Sequence, residues 1–174
     1  KSNILTADPV NAGESAALDE AESEGLEIDI TGELSDSVDM VFSYAYVDAG
    51  TSTDLYNFDW AVNLPAGSEL VNVPENSANL MLTKQFNING ADASLGFTIN
   101  YVDDRLGETI DPTYRLPEYT LVNLFGSYQL NDQVKLTMNI DNLFDEKHYV
   151  SSYHKWWTTP GTPTSYVMGV TYAF

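Results

Sequence analysis

Along most of the chain, apolar and polar residues alternate with a period of two, the signature of half-buried strands. Leu26, Ile28 and Ile30 alternate with Glu27, Asp29 and Thr31, and Val38, Met40, Phe42, Tyr44 and Tyr46 with the residues between them. The same pattern recurs at Ala78, Leu80, Leu82 and Phe86, with Lys84 as the one interruption. It recurs again at Leu95, Phe97, Ile99 and Tyr101, and at Val122, Leu124, Tyr128 and Leu130. Two further runs follow, Val134, Leu136, Met138 and Ile140, then Tyr166, Met168, Val170, Tyr172 and Phe174. With a short opening segment at 3–6, this predicts eight strands. Helix-forming composition is confined to residues 15–22, where two helical turns are predicted.

The connections alternate as well. Residues 32–37, 87–92 and 131–133 are short, rich in Asn, Asp, Ser or Gly, and read as hairpin turns. Between them lie long connections at 7–23, 48–76, 103–117 and 145–163. Loops of that length are uncommon inside compact soluble domains. Here they fall at every second junction, which places them all at one end of an up-and-down antiparallel sheet.

Each strand then has one apolar and one polar face. A soluble β-sandwich would turn the apolar face inward; a membrane barrel would turn it toward lipid. Aromatic placement bears on the choice. If the long loops define the top, Tyr44, Tyr46, Tyr101 and Tyr166 lie high on the apolar face. Phe86, Tyr128, Tyr172 and Phe174 lie low, and aliphatic residues fill the band between. Two aromatic belts around an aliphatic band suit two membrane interfaces, whereas a soluble core concentrates its rings at the centre. Lys84 falls near the lower belt, where its stem can snorkel to headgroups.

Composition sharpens this picture. The 174 residues carry 26 acidic and 7 basic side chains, a formal net charge of −19, which disfavours nucleic acid as a partner. Sixteen of the acidic residues but only four of the basic ones fall in the four long connections, leaving them with −12 of that charge. The charge is therefore an acidic crown at one end, able to bind divalent cations that bridge it to lipopolysaccharide. Absence of cysteine excludes disulfides, thiolate nucleophiles and iron–sulfur ligation. No apolar run reaches the ~18 residues of a transmembrane helix.

The C-terminal third carries recognisable motifs: Leu116-Pro117-Glu118-Tyr119-Thr120 at a strand entry, then Asn139-Ile140-Asp141-Asn142-Leu143-Phe144-Asp145 with Tyr149 beyond, then Gly161-Thr162-Pro163 and a final Tyr172-Ala173-Phe174. Asn3-Ile4-Leu5-Thr6, Gly25-Leu26-Glu27 and Val71-Asn72-Val73-Pro74 extend the match upstream. This order resembles the C-terminal end of a TonB-dependent outer-membrane receptor, most like the ferric-siderophore receptors. Glu24 and Thr164 stand where family members often carry arginine.

The resemblance implies an all-β, antiparallel up-and-down transmembrane β-barrel, of which residues 1–174 form about eight C-terminal strands. The whole barrel has about 22. The plug domain, the coupling segment and the other strands would precede Lys1. It implies uptake of a ferric-siderophore or similar chelate across the outer membrane of a Gram-negative bacterium. Its partners would be the TonB system (through the missing N-terminal part), outer-membrane lipid and lipopolysaccharide, and the barrel assembly machinery. Phe174 would form part of that machinery's recognition signal as well as of the lower belt. Two alternatives stand beside it: a self-contained eight-stranded outer-membrane barrel with a structural or adhesin role, and a soluble carbohydrate-binding β-sandwich.

Chemistry in the loops is that of binding. Tyr56 and Trp60, with Asp54, Phe58 and Asp59, form one aromatic–acidic cluster, and Tyr153, Trp156 and Trp157 another. Aromatic rings at a mouth grip a chelate by stacking and dispersion, and equally serve to pack loop on loop. His148 and His154 lack the spacing and partners of a metal site, and Asp103-Asp104 lacks a calcium loop. No catalytic triad, phosphate loop or glycine fingerprint is discernible, so no enzymatic activity and no cofactor are expected.

Overall fold

A computed structural model describes residues 2–7, 15–57 and 62–174, with side chains over 21–54 and 62–174. The described residues are all β. The strands are β1 (Ser2–Ala7), β2 (Ser15–Ser35), β3 (Val38–Thr51), β4 (Leu55–Asn57), β5 (Val62–Leu64), β6 (Asn76–Ile88) and β7 (Ala91–Val102). They continue as β8 (Arg105–Leu106), β9 (Arg115–Leu116), β10 (Tyr119–Asn131), β11 (Val134–Asp141), β12 (Tyr149–His154), β13 (Trp157–Pro160) and β14 (Ser165–Tyr172).

Eight of them form one antiparallel sheet in the order β1-β2-β3-β6-β7-β10-β11-β14, with β1 and β14 at its two edges. The other six pair as three small hairpins within the long connections: β4 with β5, β8 with β9, and β12 with β13. The up-and-down meander is as the alternation predicts; the long connections are more structured than expected.

Residues 15–22 are not helical. They begin β2, pairing Ser15 with Ala7 and Ala17 with Leu5 on one side, and Glu22 with Gly50 on the other. Two helical turns in isolation lie below the length at which nucleation is repaid. Pairing with β1 as far as Glu20 and with β3 from Ala21 onward supplies hydrogen-bond partners instead. With 21 residues against the ~9–11 that cross a bilayer, β2 rises with β3 well above the aliphatic band.

Register keeps the two faces apart across the whole sheet. One apolar row runs Ile30, Phe42, Leu80, Ile99 and Val122 through successive pairings, and another Met40, Leu82, Phe97, Leu124 and Ile140. Because a slip by one residue would invert a strand, this agreement fixes the registers from β2 to β11 together. Short turns support it. Asn89 and Gly90 both take positive φ (52° and 87°), as a type I′ hairpin requires, and the Asn87 carboxamide oxygen accepts the Gly90 N–H at 2.7 Å.

Among the described residues, nothing packs on the apolar face. Leu26, Ile30, Leu95, Met168 and Val170 are all exposed, and the buried apolar residues among those described are only Ala21, Ala93, Leu106 and Leu116. A soluble sandwich would bury this face against a second sheet; an apolar surface this extensive marks contact with lipid. The opposite face carries a ladder of amides. Asn100 donates to Asn79 at 2.6 Å, and Asn123 donates to Asn100 at 3.1 Å and to Thr98 at 2.9 Å. The Asn123 oxygen in turn accepts the backbone N–H of Asn142 at 2.8 Å.

Candidate functional site

Above the sheet, three long connections are tied into one crown. Asn72, held at φ 65°, donates its Nδ2 to the Ser152 carbonyl at 2.7 Å and accepts the Ser152 N–H on Oδ1 at 2.8 Å. One side chain thereby imitates a strand neighbour for a residue 80 positions away. The Asn72 N–H also donates to the Leu106 carbonyl at 2.9 Å, so the 48–76, 103–117 and 145–163 connections meet there.

Two buried ions complete the junction. Arg105, 2 % exposed, donates Nη2 to the Tyr149 carbonyl at 2.6 Å and to the Val150 carbonyl at 3.2 Å, and lies over the Tyr119 ring at 5.6 Å. Glu108, 1 % exposed, accepts the Lys155 N–H at 2.7 Å and faces His154 Nε2 at 3.5 Å. Arg105 is therefore held by peptide carbonyls of β12, and Glu108 by the Lys155 N–H together with the His154 ring and, at 3.9 Å, Lys155 Nζ. Nearby, Arg115 pairs with Asp104 and, at 2.8 Å, with Glu69, and these carboxylates hold its guanidinium firmly protonated. The Asn76 amide keeps the Asp103 carboxyl below its ordinary range, aided by the Asp104 N–H and the Tyr101 hydroxyl against partial burial.

The sequence motifs prove to be the knots of this crown. Asn142 and Asp145 take positive φ (50° and 54°), and Asn142 Nδ2 donates to the carbonyls of Glu146 and Thr162 at 2.9 and 3.0 Å. Thr164 donates its hydroxyl to the Asn142 carbonyl at 2.8 Å. Leu116 is buried, and Tyr119 packs on the His148 ring at a centroid distance of 4.7 Å. Gly161 leaves room for that same ring: a Cβ there would sit 1.9 Å from His148 Nε2. We therefore expect Gly161→Ala to destabilise the crown by about 1–3 kcal/mol, the usual range for overpacking. Faster proteolysis within 145–163 of the mutant, beside an unchanged barrel, would report it.

The expected binding residues divide. Tyr153, Trp156 and Trp157 come together at the β12–β13 hairpin, Tyr153 stacked with Trp157 at 6.1 Å and Trp156 at the tip, 78 % exposed. Tyr56 lies in β4; its side chain and Trp60 fall outside the described residues, as do Phe58 and Asp59. Asp54 serves the loop itself, accepting the Ala66 N–H at 2.9 Å. Phe174 lies beyond β14 at the short-turn end, fully exposed and stacked on Tyr172 at 6.5 Å. His148 is a buried packing residue, and among the described residues no His, Asp and Glu group could hold a metal ion. A cavity of about 580 Å³ lies between the 48–76 and 103–117 connections, lined by Leu64, Leu70, Leu106 and Ile110 with Glu69 and Arg115. Its size and its mix of apolar wall and charged edge are those of a small-molecule site. In sequence, Arg105 and Glu108 are two of six charged residues among the fifteen of 103–117, and no local pattern separates them from the others or shows the role of Asn72.

A membrane-spanning sheet that carries a stitched, aromatic-bearing crown at one end defines an outer-membrane barrel protein of the receptor type. Residues 1–143 match the family described as TonB dependent receptor-like, beta-barrel, and the chain belongs to it. It is 38% identical over 174 residues to the metal-pseudopaline receptor CntO of Pseudomonas aeruginosa, covering 98% of this chain and 23% of that protein. The crystal structure of the siderophore receptor PiuA from Acinetobacter baumannii superposes with a TM-score of 0.77 at 23% identity, over 98% of this chain and 24% of that one. The ferripyoverdine receptor of the outer membrane of Pseudomonas aeruginosa superposes at 0.72 with 18% identity, covering 98% and 23%. The chain thus spans about a quarter of the length of the relatives it matches.

Proposed function

We propose that this chain is the last eight strands and part of the outer mouth of a receptor that imports a metal chelate, of the ferric-siderophore kind, across the outer membrane. Transport would be energised by TonB through a plug and further strands that precede Lys1. The observation that carries this reading is the crown. Three connections are fused by Asn72, Arg105 and Glu108 into one rim, which presents Tyr153, Trp156 and Trp157 to the outside. Rigid aromatic groups on an ordered rim bind a planar or ring-bearing chelate at low entropic cost. The likeness to CntO and PiuA supports metal chelates as cargo. Phe174, beyond β14 at the short-turn end, would serve barrel assembly.

The test is uptake of radiolabelled metal–chelate by cells expressing the full-length protein. Trp156→Ala combined with Trp157→Ala should weaken chelate binding about tenfold, equivalent to ~1.4 kcal/mol. Undiminished binding would remove the hairpin from the site. A natural protein beginning only a few tens of residues before Lys1 would overturn the receptor reading itself.

A further inference from the structure

The lipid-facing side of the sheet has a notch near its short-turn end. One row of cross-strand neighbours runs Lys84, Leu95, Gly126, Met138 and Met168. The row below it runs Phe86, Ala93, Tyr128, Leu136 and Val170. Gly126 contributes no side chain and Ala93 a single methyl, so larger neighbours stand up around a gap. The resulting trough has a volume of about 410 Å³ and is walled by Phe86, Leu95, Leu136, Met138, Met168 and Val170. A Cβ added at Gly126 would point into it, 3.5 Å from Leu95 Cδ1. Lys84 stands in the upper row between Val38 and Leu95, two strands and so roughly 10 Å from Gly126. It is the one Lys or Arg on this face of the sheet among the described residues.

We propose that the trough is a binding site for one anionic glycerophospholipid of the leaflet at the short-turn end. An acyl chain would lie in the Gly126 notch and the phosphate would meet Lys84. Two features commit the site to that occupant. The walls are apolar and continuous with the lipid-facing band, which suits an acyl chain. A single cation beside it, with the carboxylates of that face (Glu22, Glu24 and Asp48) confined to the crown end of β2 and β3, complements one phosphate. Lipopolysaccharide would occupy the opposite leaflet, beside the acidic crown. The site is independent of the cargo reading, because its readout needs no chelate.

Native mass spectrometry of the full-length protein, equilibrated with vesicles of phosphatidylglycerol or phosphatidylcholine, tests it. The wild-type protein should retain one phosphatidylglycerol about fivefold more than phosphatidylcholine. Lys84→Gln should erase that preference, and Gly126→Leu should reduce retention of both. Unchanged selectivity in Lys84→Gln, or retention of lipopolysaccharide or another protein in its place, would overturn the proposal. Should Gly126→Leu fail to assemble, a Trp at position 168 (Met168→Trp) keeps the question decidable. Brominated phosphatidylglycerol should then quench it more than brominated phosphatidylcholine, and equally well only once Lys84→Gln is added. Equal quenching with Lys84 present would refute the site.

Discussion

Ile99→Arg is expected to destabilise the assembled barrel by about 2–4 kcal/mol, the cost of a cation near the bilayer midplane. Ile99 sits in the lipid-facing band, flanked across the strands by Leu80 and Val122 and one row below Tyr44 and Tyr101 of the upper belt. An arginine there must extend fully past that row to reach headgroups, and it replaces an aliphatic contact with lipid. Thr98, one residue earlier, faces the wet side, where its hydroxyl accepts from Asn123 at 2.9 Å. Thr98→Arg gives up that bond and keeps its charge in a polar setting, so its cost should be well below that of Ile99→Arg. Urea titration of the full-length protein in lipid vesicles measures both. Equal losses at the two positions would contradict the assigned facing.

The second large effect belongs to the crown. Arg105→Ala removes a charged donor from the carbonyls of Tyr149 and Val150, in a place where water does not replace it. Hydrogen bonds to charged groups contribute roughly 1.5–3 kcal/mol, and the stranded carbonyls add a desolvation cost. We expect the β12–β13 hairpin to loosen by about 3 kcal/mol, roughly a hundredfold faster amide exchange over 149–160. The strands of the main sheet should keep their protection. Hydrogen exchange read by mass spectrometry separates these outcomes; unaltered exchange in the hairpin would mean that Asn72 and Glu108 suffice to hold it. Arg105→Lys should recover only part of the loss, since a shorter and more strongly hydrated ammonium costs more to bury and lacks the planar guanidinium that lies over the Tyr119 ring.

The main sheet was legible because its physics is local. Period-two patterning decides which face each residue occupies, and one consistent register follows once neighbouring strands must share a face. The aromatic belts told which solvent that face meets. Residues 15–22 misled because helix propensity is weak, and the ladder with β1 and β3 overrides it. The hairpins inside the long connections were invisible for a related reason. Strands of two to six residues, such as Arg105–Leu106, have too few positions to show a period. The crown was legible only as motifs. Asn142 and Gly161 could be recognised as a pattern, but their work depends on partners far along the chain. Asn142 meets Thr162, and Gly161 makes room for His148. Arg105 and Glu108 look like ordinary loop charges in sequence, and nothing local shows that the hairpin supplies peptide groups to both.

Asn72 has a consequence for how such a receptor can diversify. Because its carboxamide satisfies both backbone groups of Ser152, and its own N–H is spoken for by Leu106, no one of the three connections owns its conformation. Transplanting residues 103–117 alone into a sister receptor would carry Arg105 and Glu108 into a host whose hairpin was shaped for other donors. Productive chimeras, and productive natural recombination, should therefore exchange 69–76, 103–117 and 145–163 together, as a single inherited cassette.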